Sequence, residues 1–223
     1  MANRPVFVVL GNKKLIDEVD TEFKYFNGFS TVQKGKSIVS LHEAFKKNHN
    51  MKVLEVSTKS DSKLGWALSA FNLQVDFFEG GTISMECAFQ GSKIFENGKQ
   101  YKDLYQETSS VARKDQRLRA SGKLCGFQFG DERWELEPKT AFYDWLYINA
   151  LYKNHHDIIN ALLEYDAFTD IEFNPKRSIN CQARSCAILV SLVRQDRLDE
   201  AMSSPETFIR KVYYQVPKQG ELF

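Results

Sequence analysis

Residues 85–95, Met-Glu-Cys-Ala-Phe-Gln-Gly-Ser-Lys-Ile-Phe, set Glu86, Gln90 and Lys93 at i, i+4 and i+7 and interleave them with apolar side chains. As a helix, this segment lines the three polar groups along one face and turns Phe89 and Phe95 elsewhere, into a core. Two turns of rise hold Glu86 and Lys93 roughly 10 Å apart, too far for a direct salt bridge. The two charges therefore either approach a polar ligand from opposite ends or form the solvated stripe of an amphipathic helix.

A chain of 223 residues has room for one well-buried core, and 43% hydrophobic residues with 13% aromatics argue for a globular fold. A net charge of +1 gives no global field that would steer the protein to nucleic acid or membranes, so any nucleic-acid contact is a local patch. Cys87, Cys125, Cys181 and Cys186 form no CxxC pair, and His42, His49, His155 and His156 do not complete a zinc-ligand spacing with them. Free thiols and no metal are expected. The N-terminus lacks the basic region, apolar stretch and cleavage site of a leader, and no apolar run approaches the ~20 residues that span a bilayer, which with the thiols points to a reducing cytoplasm. G-x-G-x-x-G, phosphate-loop, G-x-S-x-G and H-E-x-x-H motifs are missing, and no cofactor is expected.

Alternating or β-branched runs predict strands at 6–10, 22–26, 52–57 and 73–78, and a hairpin at 126–136 around Gly130-Asp131. Helical spacing predicts helices at 40–47, 85–95 and 109–119, then from Pro138 onward with Phe142, Trp145, Leu146, Asn149 and Tyr152 on one stripe, at 156–165 and at 183–194. Ser204-Pro205-Glu206 opens the last helix. Residues 65–73 show no clear period. Arg113, Lys114, Arg117 and Arg119 form either an exposed face or an anion-binding patch. Residues 166–182 read as a polar loop rich in Asp166, Asp170, Glu172, Asn174, Arg177 and Asn180, and a long structureless loop in a compact domain is more often functional than decorative. The assembly is α+β, a small sheet surrounded by several helices.

The order Ser57-Thr58-Lys59-Ser60, Gly65, Ser69-Ala70-Phe71, Gly81-Thr82, Glu86-x-x-Phe89-Gln90-x-x-Lys93, a Trp-containing helix, Leu162-Leu163 and Ile171-Glu172-Phe173-Asn174-Pro175 resembles the NADAR family, which shares its fold with the bacterial YbiA proteins. The resemblance covers approximately residues 52–194. It implies a YbiA-like catalytic domain over 52–223 with a β-rich N-terminal extension, 1–51, packed on the core. Arg4-Pro5-Val6-Phe7, Gly28-Phe29-Ser30-x-x-Gln33-Lys34-x-x-Ser37-Ile38 and Ser178-Ile179-Asn180-Cys181-Gln182-Ala183 look like the NADAR antitoxins encoded beside DarT-type, guanine-modifying ADP-ribosyltransferase toxins. That likeness implies a metal-independent glycohydrolase that removes ADP-ribose from guanine in single-stranded DNA or RNA. The chain departs from the wider family twice. Ser-Asn-Phe is Ser69-Ala70-Phe71 here, and Arg177-Ser178-Ile179-Asn180-Cys181 replaces an Asp-x-x-Trp-Gly, leaving Asp170 or Glu172 to supply the late carboxylate.

Breaking the bond from ribose C1 to a guanine amine builds positive charge at C1, which a carboxylate stabilises or relieves by moving protons. Glu86, Asp170 and Glu172 are the candidates. A lysine amine can instead displace the base through a Schiff base. Lys59, on a small-residue turn, is expected as that nucleophile and Lys93 as its electrostatic or phosphate-binding partner. Trp66, Phe71 and Trp145 are candidates for stacking on a base, with core packing favoured for Trp145. Ser69 and Gln90 fall in the family motifs, Gln33 and Lys34 with Lys36 form a basic cluster suited to phosphate, and Arg177 and Asn180 suit a diphosphate or base edge. Three other functions compete: a module that binds ADP-ribose or modified nucleic acid without hydrolysis, an N-glycosidase on riboflavin precursors, and direct masking of the toxin.

Overall fold

The computed structural model describes residues 1–28 and 30–214, apart from the side chains of Asn154 and His156. Phe29 and the end of the expected 52–223 domain lie outside the described residues. The elements run β1 (Ala2–Val9), β2 (Ile16–Phe23), α1 (Thr31–Lys46), β3 (Val53–Glu55), α2 (Lys63–Ala67), β4 (Gln74–Asp76), β5 (Thr82–Ser84), α3 (Met85–Gly91) and β6 (Lys93–Phe95). After a 3-10 turn (Lys102–Gln106) come α4 (Ser109–Lys114), α5 (Arg117–Ala120), β7 (Leu124–Phe129), β8 (Glu132–Trp134), α6 (Ala141–Asn154), α7 (His156–Leu162), β9 (Ala167–Thr169), α8 (Gln182–Arg194), α9 (Leu198–Ala201) and α10 (Pro205–Val212). The architecture is α+β, as expected. Among the described residues no helix is long and apolar enough to cross a membrane.

The principal sheet has the order β2-β1-β9-β3. β1 runs antiparallel to β2 and β9, whereas β3 and β9 are parallel. Val6, Phe7 and Val8 are buried in succession, without alternation, because helices cover both faces of the sheet. On one face Val6 and Val8 meet Ile38, Leu41 and Phe45 of α1. On the other, Phe7, Leu54 and Phe168 join the large core built from α6 and α8. The first 51 residues thus reach the rest of the chain through backbone pairing, Phe7 opposite Phe168.

Several elements depart from the sequence reading. β9 lies inside the segment 166–182 read as a loop; three residues carry too little pattern to reveal a strand, although Ala167, Phe168 and Thr169 are all buried. The strand expected at 22–26 ends at Phe23, and the helix expected from residue 40 starts at Thr31, where the Ser30 hydroxyl accepts from the Gln33 N–H at 3.3 Å. α2, capped by Ser62, begins before the 65–73 stretch that showed no period and ends within it, at Ala67. The predicted 109–119 helix breaks at Asp115, whose carboxylate takes the Arg117 N–H at 2.8 Å. Pro138 stands outside α6, which begins after Thr140 in left-handed geometry at φ 68°.

The 85–95 helix also ends early, at Gly91. There the Ser92 hydroxyl donates to the Ala88 carbonyl at 2.6 Å, and a Cβ on Gly91 would lie 2.5 Å from the Tyr105 ring. Lys93 therefore opens β6, opposite Phe127, instead of completing a helical stripe.

Gly65 shows how closely α2 approaches β3. A Cβ there would sit 1.9 Å from the Glu55 carbonyl oxygen, backbone against backbone, so the two elements must separate to admit any side chain. Gly65→Ala should cost about 2 kcal/mol or more by overpacking, lowering Tm by roughly 4–8 °C in a thermal melt. An unchanged Tm would show that this approach is slack.

Candidate functional site

A chain of hydrogen bonds assembles the site from segments far apart in sequence. At the start of α8, the buried Gln182 side chain donates to the Val56 carbonyl at 2.6 Å and accepts from the Ala70 N–H at 2.7 Å. The Ala70 carbonyl in turn takes the Glu86 N–H at 2.9 Å, and the Leu73 carbonyl takes that of Met85 at 2.8 Å. With the Ser84 hydroxyl accepting from Cys87 N–H at 3.2 Å, three of the donors that a helix start leaves free are satisfied. Glu86 is thereby fixed against the Ser69-Ala70-Phe71 segment.

A second cluster fastens the carboxyl ends of β3 and β9. The buried Glu55 carboxylate accepts from Ser57 Oγ at 2.6 Å, Thr169 Oγ1 at 2.6 Å and the Ile171 N–H at 2.8 Å. His42 Nε2 lies 2.8 Å from Thr169 Oγ1, and since that hydroxyl gives its proton to Glu55, the imidazole must be the donor. Beyond β9, Asp170 accepts from the N–H groups of Glu172 and Phe173 at 2.9 and 3.1 Å, and Thr58 Oγ1 donates to Glu172 at 2.7 Å.

These segments enclose two contiguous chambers. The smaller, of 160 Å³, is polar, with Thr58, Ser69, Phe71, Glu86, Arg113, Asp170, Glu172 and Gln182 in its walls. The larger, of 690 Å³, is walled by Phe127 and Phe142, stacked at 4.7 Å, and carries Lys93, Lys139, Lys176 and Arg177 together with Glu135 and Glu137. Phe89, Gln90, Tyr143, Ser178 and Asn180 border both. Glu86 thus opens on one chamber and Lys93 on the other, with Gln90 between them. Gln90 Nε2 donates to Glu86 Oε1 at 2.9 Å, while its own buried Oε1 has no protein partner.

Burial dominates the electrostatics. It lowers the pKa of Lys93, whose ammonium lies 4.9 Å from the Phe89 ring centre, and Glu86 opposes the shift. It raises Asp170 well above the ordinary carboxylate range, helped by the neighbouring Glu55. Glu55 itself is raised by burial against the pull of its three hydrogen bonds, and Tyr143 by burial and then Glu86. His42 falls to about 4 through burial and Lys46, so it is neutral at neutral pH.

Of the residues singled out in the sequence, Glu86, Gln90, Ser69, Phe71, Asp170, Glu172 and Asn180 meet at the smaller chamber, and Lys93, Arg177, Gln90 and Asn180 at the larger. Lys59, half-buried on the turn after β3, lines neither; its neighbour Thr58 does. Trp66 is 51% exposed and also outside both chambers. Trp145 packs on Trp134 at 5.2 Å in the core. Gln33 and Lys34 lie in the first turns of α1, the Lys34 ammonium 2.5 Å from the Tyr25 hydroxyl, and line neither chamber. Missed as candidate site residues were Thr58, Tyr143, Gln182 and the Glu55 beneath them, and on the larger chamber Phe127, Lys139, Phe142 and Lys176. Gln182 was quoted within a motif, yet nothing local betrays that both ends of its amide are used. Arg113, left between two readings, stands exposed at the smaller chamber with its guanidinium 5.4 Å from the Phe71 ring centre, whereas Arg117 is engaged by Asp115 and Asp103.

Because burial disfavours its charged form, Lys93 should titrate below 10.5. After reductive ¹³C-methylation, its NMR resonance should have a lower midpoint than those of exposed lysines, and Glu86→Gln should lower it further by removing the charge that favours the ammonium. A midpoint shared with the surface lysines would contradict the burial.

The curated proteins searched contain no match to this sequence. A family model, described as the DarT1-associated NADAR antitoxin, matches residues 2–221 and so takes in every segment that frames the two chambers. The chain belongs to the DarT1-associated NADAR antitoxin family.

Proposed function

We propose that the protein is an ADP-ribosyl glycohydrolase that releases ADP-ribose from guanine bases in nucleic acid, reversing the modification made by a DarT-type toxin. The observation that carries this reading is Lys93, a half-buried amine of lowered pKa on the wall of a ligand-sized cleft, with Glu86 across Gln90 from it. A volume of 690 Å³ suits a whole ligand, and there ADP-ribose finds Phe127 and Phe142 for its adenine and Lys139, Lys176 and Arg177 for its diphosphate. The smaller chamber suits the base. Guanine presents N–H donors on its Watson–Crick edge, which the unpartnered Gln90 Oε1 and Glu172 accept, while the raised pKa of Asp170 favours a protonated carboxyl that donates.

The same geometry favours Lys93 over Lys59 as the nucleophile. The lone pair of the guanine amine opens the ribose ring: C1–O4 breaks, O4 takes a proton from the Lys93 ammonium, whose charged form burial disfavours, and C1 is left joined to the base as an iminium. Neutral Lys93 Nζ adds to C1, and a proton passes from Nζ to the guanine amine by way of Glu86. The C1–N bond to guanine then breaks, leaving C1 on Lys93 as a Schiff base. Water adds to C1, Nζ departs, and the O4 hydroxyl closes on the resulting aldehyde. The net reaction consumes one water, moves no electrons and needs no Lewis acid.

Under enzyme-limiting conditions, a guanine-ADP-ribosylated single-stranded oligonucleotide should release many equivalents of free ADP-ribose, in EDTA as well as without it. Stoichiometric capture would mark a binding module, and loss in EDTA with recovery on one divalent ion would end the metal-independent scheme. Borohydride during turnover should leave an ADP-ribose adduct on Lys93, found by peptide mass spectrometry. Lys93→Arg should abolish it, since a guanidinium stays charged. An adduct on Lys59 would transfer the role.

Glu86→Gln keeps the size and the intrahelical bond to Gln90 but cannot move a proton. Its turnover should fall by ~100-fold or more with an unchanged melt. A wild-type rate would reduce Glu86 to a structural acid.

A further inference from the structure

The small chamber admits a base but not the strand that carries it, so the polymer has to leave across the adjoining surface. This argument rests on the function proposed above. The exposed side of α2 presents Lys63 and Trp66 at i and i+3, neighbours on one helix face. Trp66 is 51% exposed, although its carbonyl is tied down by Ser69 Oγ and Asn72 Nδ2, both at 2.9 Å. The half-exposed indole thus rises from a fixed stretch of backbone, and Ser69 leads straight into the chamber wall. Arg113 stands over Phe71 at the same chamber, followed by Lys114. Among the described residues the side chains of Lys63, Arg113 and Lys114 have no hydrogen-bond or ion-pair partner, whereas Arg117 nearby on the chain is held by two aspartates.

We propose that α2 and the start of α4 form a track for single-stranded nucleic acid, with Trp66 stacking on a base next to the modified guanine and Lys63 and Arg113 holding the flanking phosphates. Cations without an ion-pair partner on either side of an exposed indole fit a polynucleotide, where a base has a face to stack and each link a charge to pair. The strand is single because a base enclosed in the small chamber has lost its pairing partner.

The test compares an ADP-ribosylated guanine within an oligonucleotide of about ten nucleotides with the free ADP-ribosylated guanosine. Trp66→Ala should raise KM for the oligonucleotide about tenfold, and Lys63→Ala should reduce the salt slope of log KM by roughly 0.7. Both variants should turn over the nucleoside at the wild-type rate, which also reports that they fold. An equal effect on both substrates, or none on the oligonucleotide, overturns the track and leaves the face to another partner such as the toxin. Failure of the wild type on both substrates would instead refute the glycohydrolase reading.

Discussion

One side-chain amide decides where the site's components stand. A buried amide is costly unless both its donor and its acceptor are used, and Gln182 uses both on backbone groups that would otherwise be orphaned, Val56 carbonyl and Ala70 N–H. Through Ala70 the linkage reaches the first turn of α3 and Glu86. The distance between the acid on α3 and the carboxyl ends of β3 and β9 is therefore set by hydrogen bonds of fixed length. A leucine of similar size at position 182 would leave two backbone groups unpaired and loosen three walls together.

The parallel pairing of β3 with β9 supplies the floor. Both strands end at the smaller chamber, the usual side for ligands in sheets with parallel strands. Glu55 is the tie: its carboxylate is enclosed, and three donors make its burial tolerable while drawing the strand ends together. His42 completes the arrangement from the opposite layer, so α1 contributes a fixed proton donor beneath the site without reaching it.

Architecture was legible where periodicity spans several turns, and most of α6, α8 and the hairpin of β7 and β8 could be read from side-chain order. It failed where tertiary contacts set the boundaries. No residue in 85–95 forbids helix past Gly91; what replaces it is the pairing of Lys93 and Ile94 with Phe127 and Gly126 of β7, which lies outside that window. β9 is a strand because β1 and β3 flank it. At the candidate site, Gln90 stands between Glu86 on one chamber and Lys93 on the other, but not along one helix face as the spacing suggested, since Lys93 comes from a strand. Lys59 drew notice by its place in the family's motif order and on a small-residue turn, and only the fold shows that Thr58, not Lys59, borders the chamber. Tyr143 sits within an apolar helix, where sequence alone cannot separate a packing side from a cleft side.

The pairing of Phe7 with Phe168 has a consequence for how the protein is made. At roughly 5–20 residues per second, β9 is synthesised about ten seconds or more after β1. Until then the first hairpin has no third strand, and Phe7, on the face turned away from α1, lacks its cover. Contacts between such distant parts of a chain form slowly, because loop closure comes before any gain from pairing. A nascent chain stopped ahead of β9 has neither the middle of its sheet nor the floor of its cleft. The cleft can thus close only after β9 and the segment that follows it have been made.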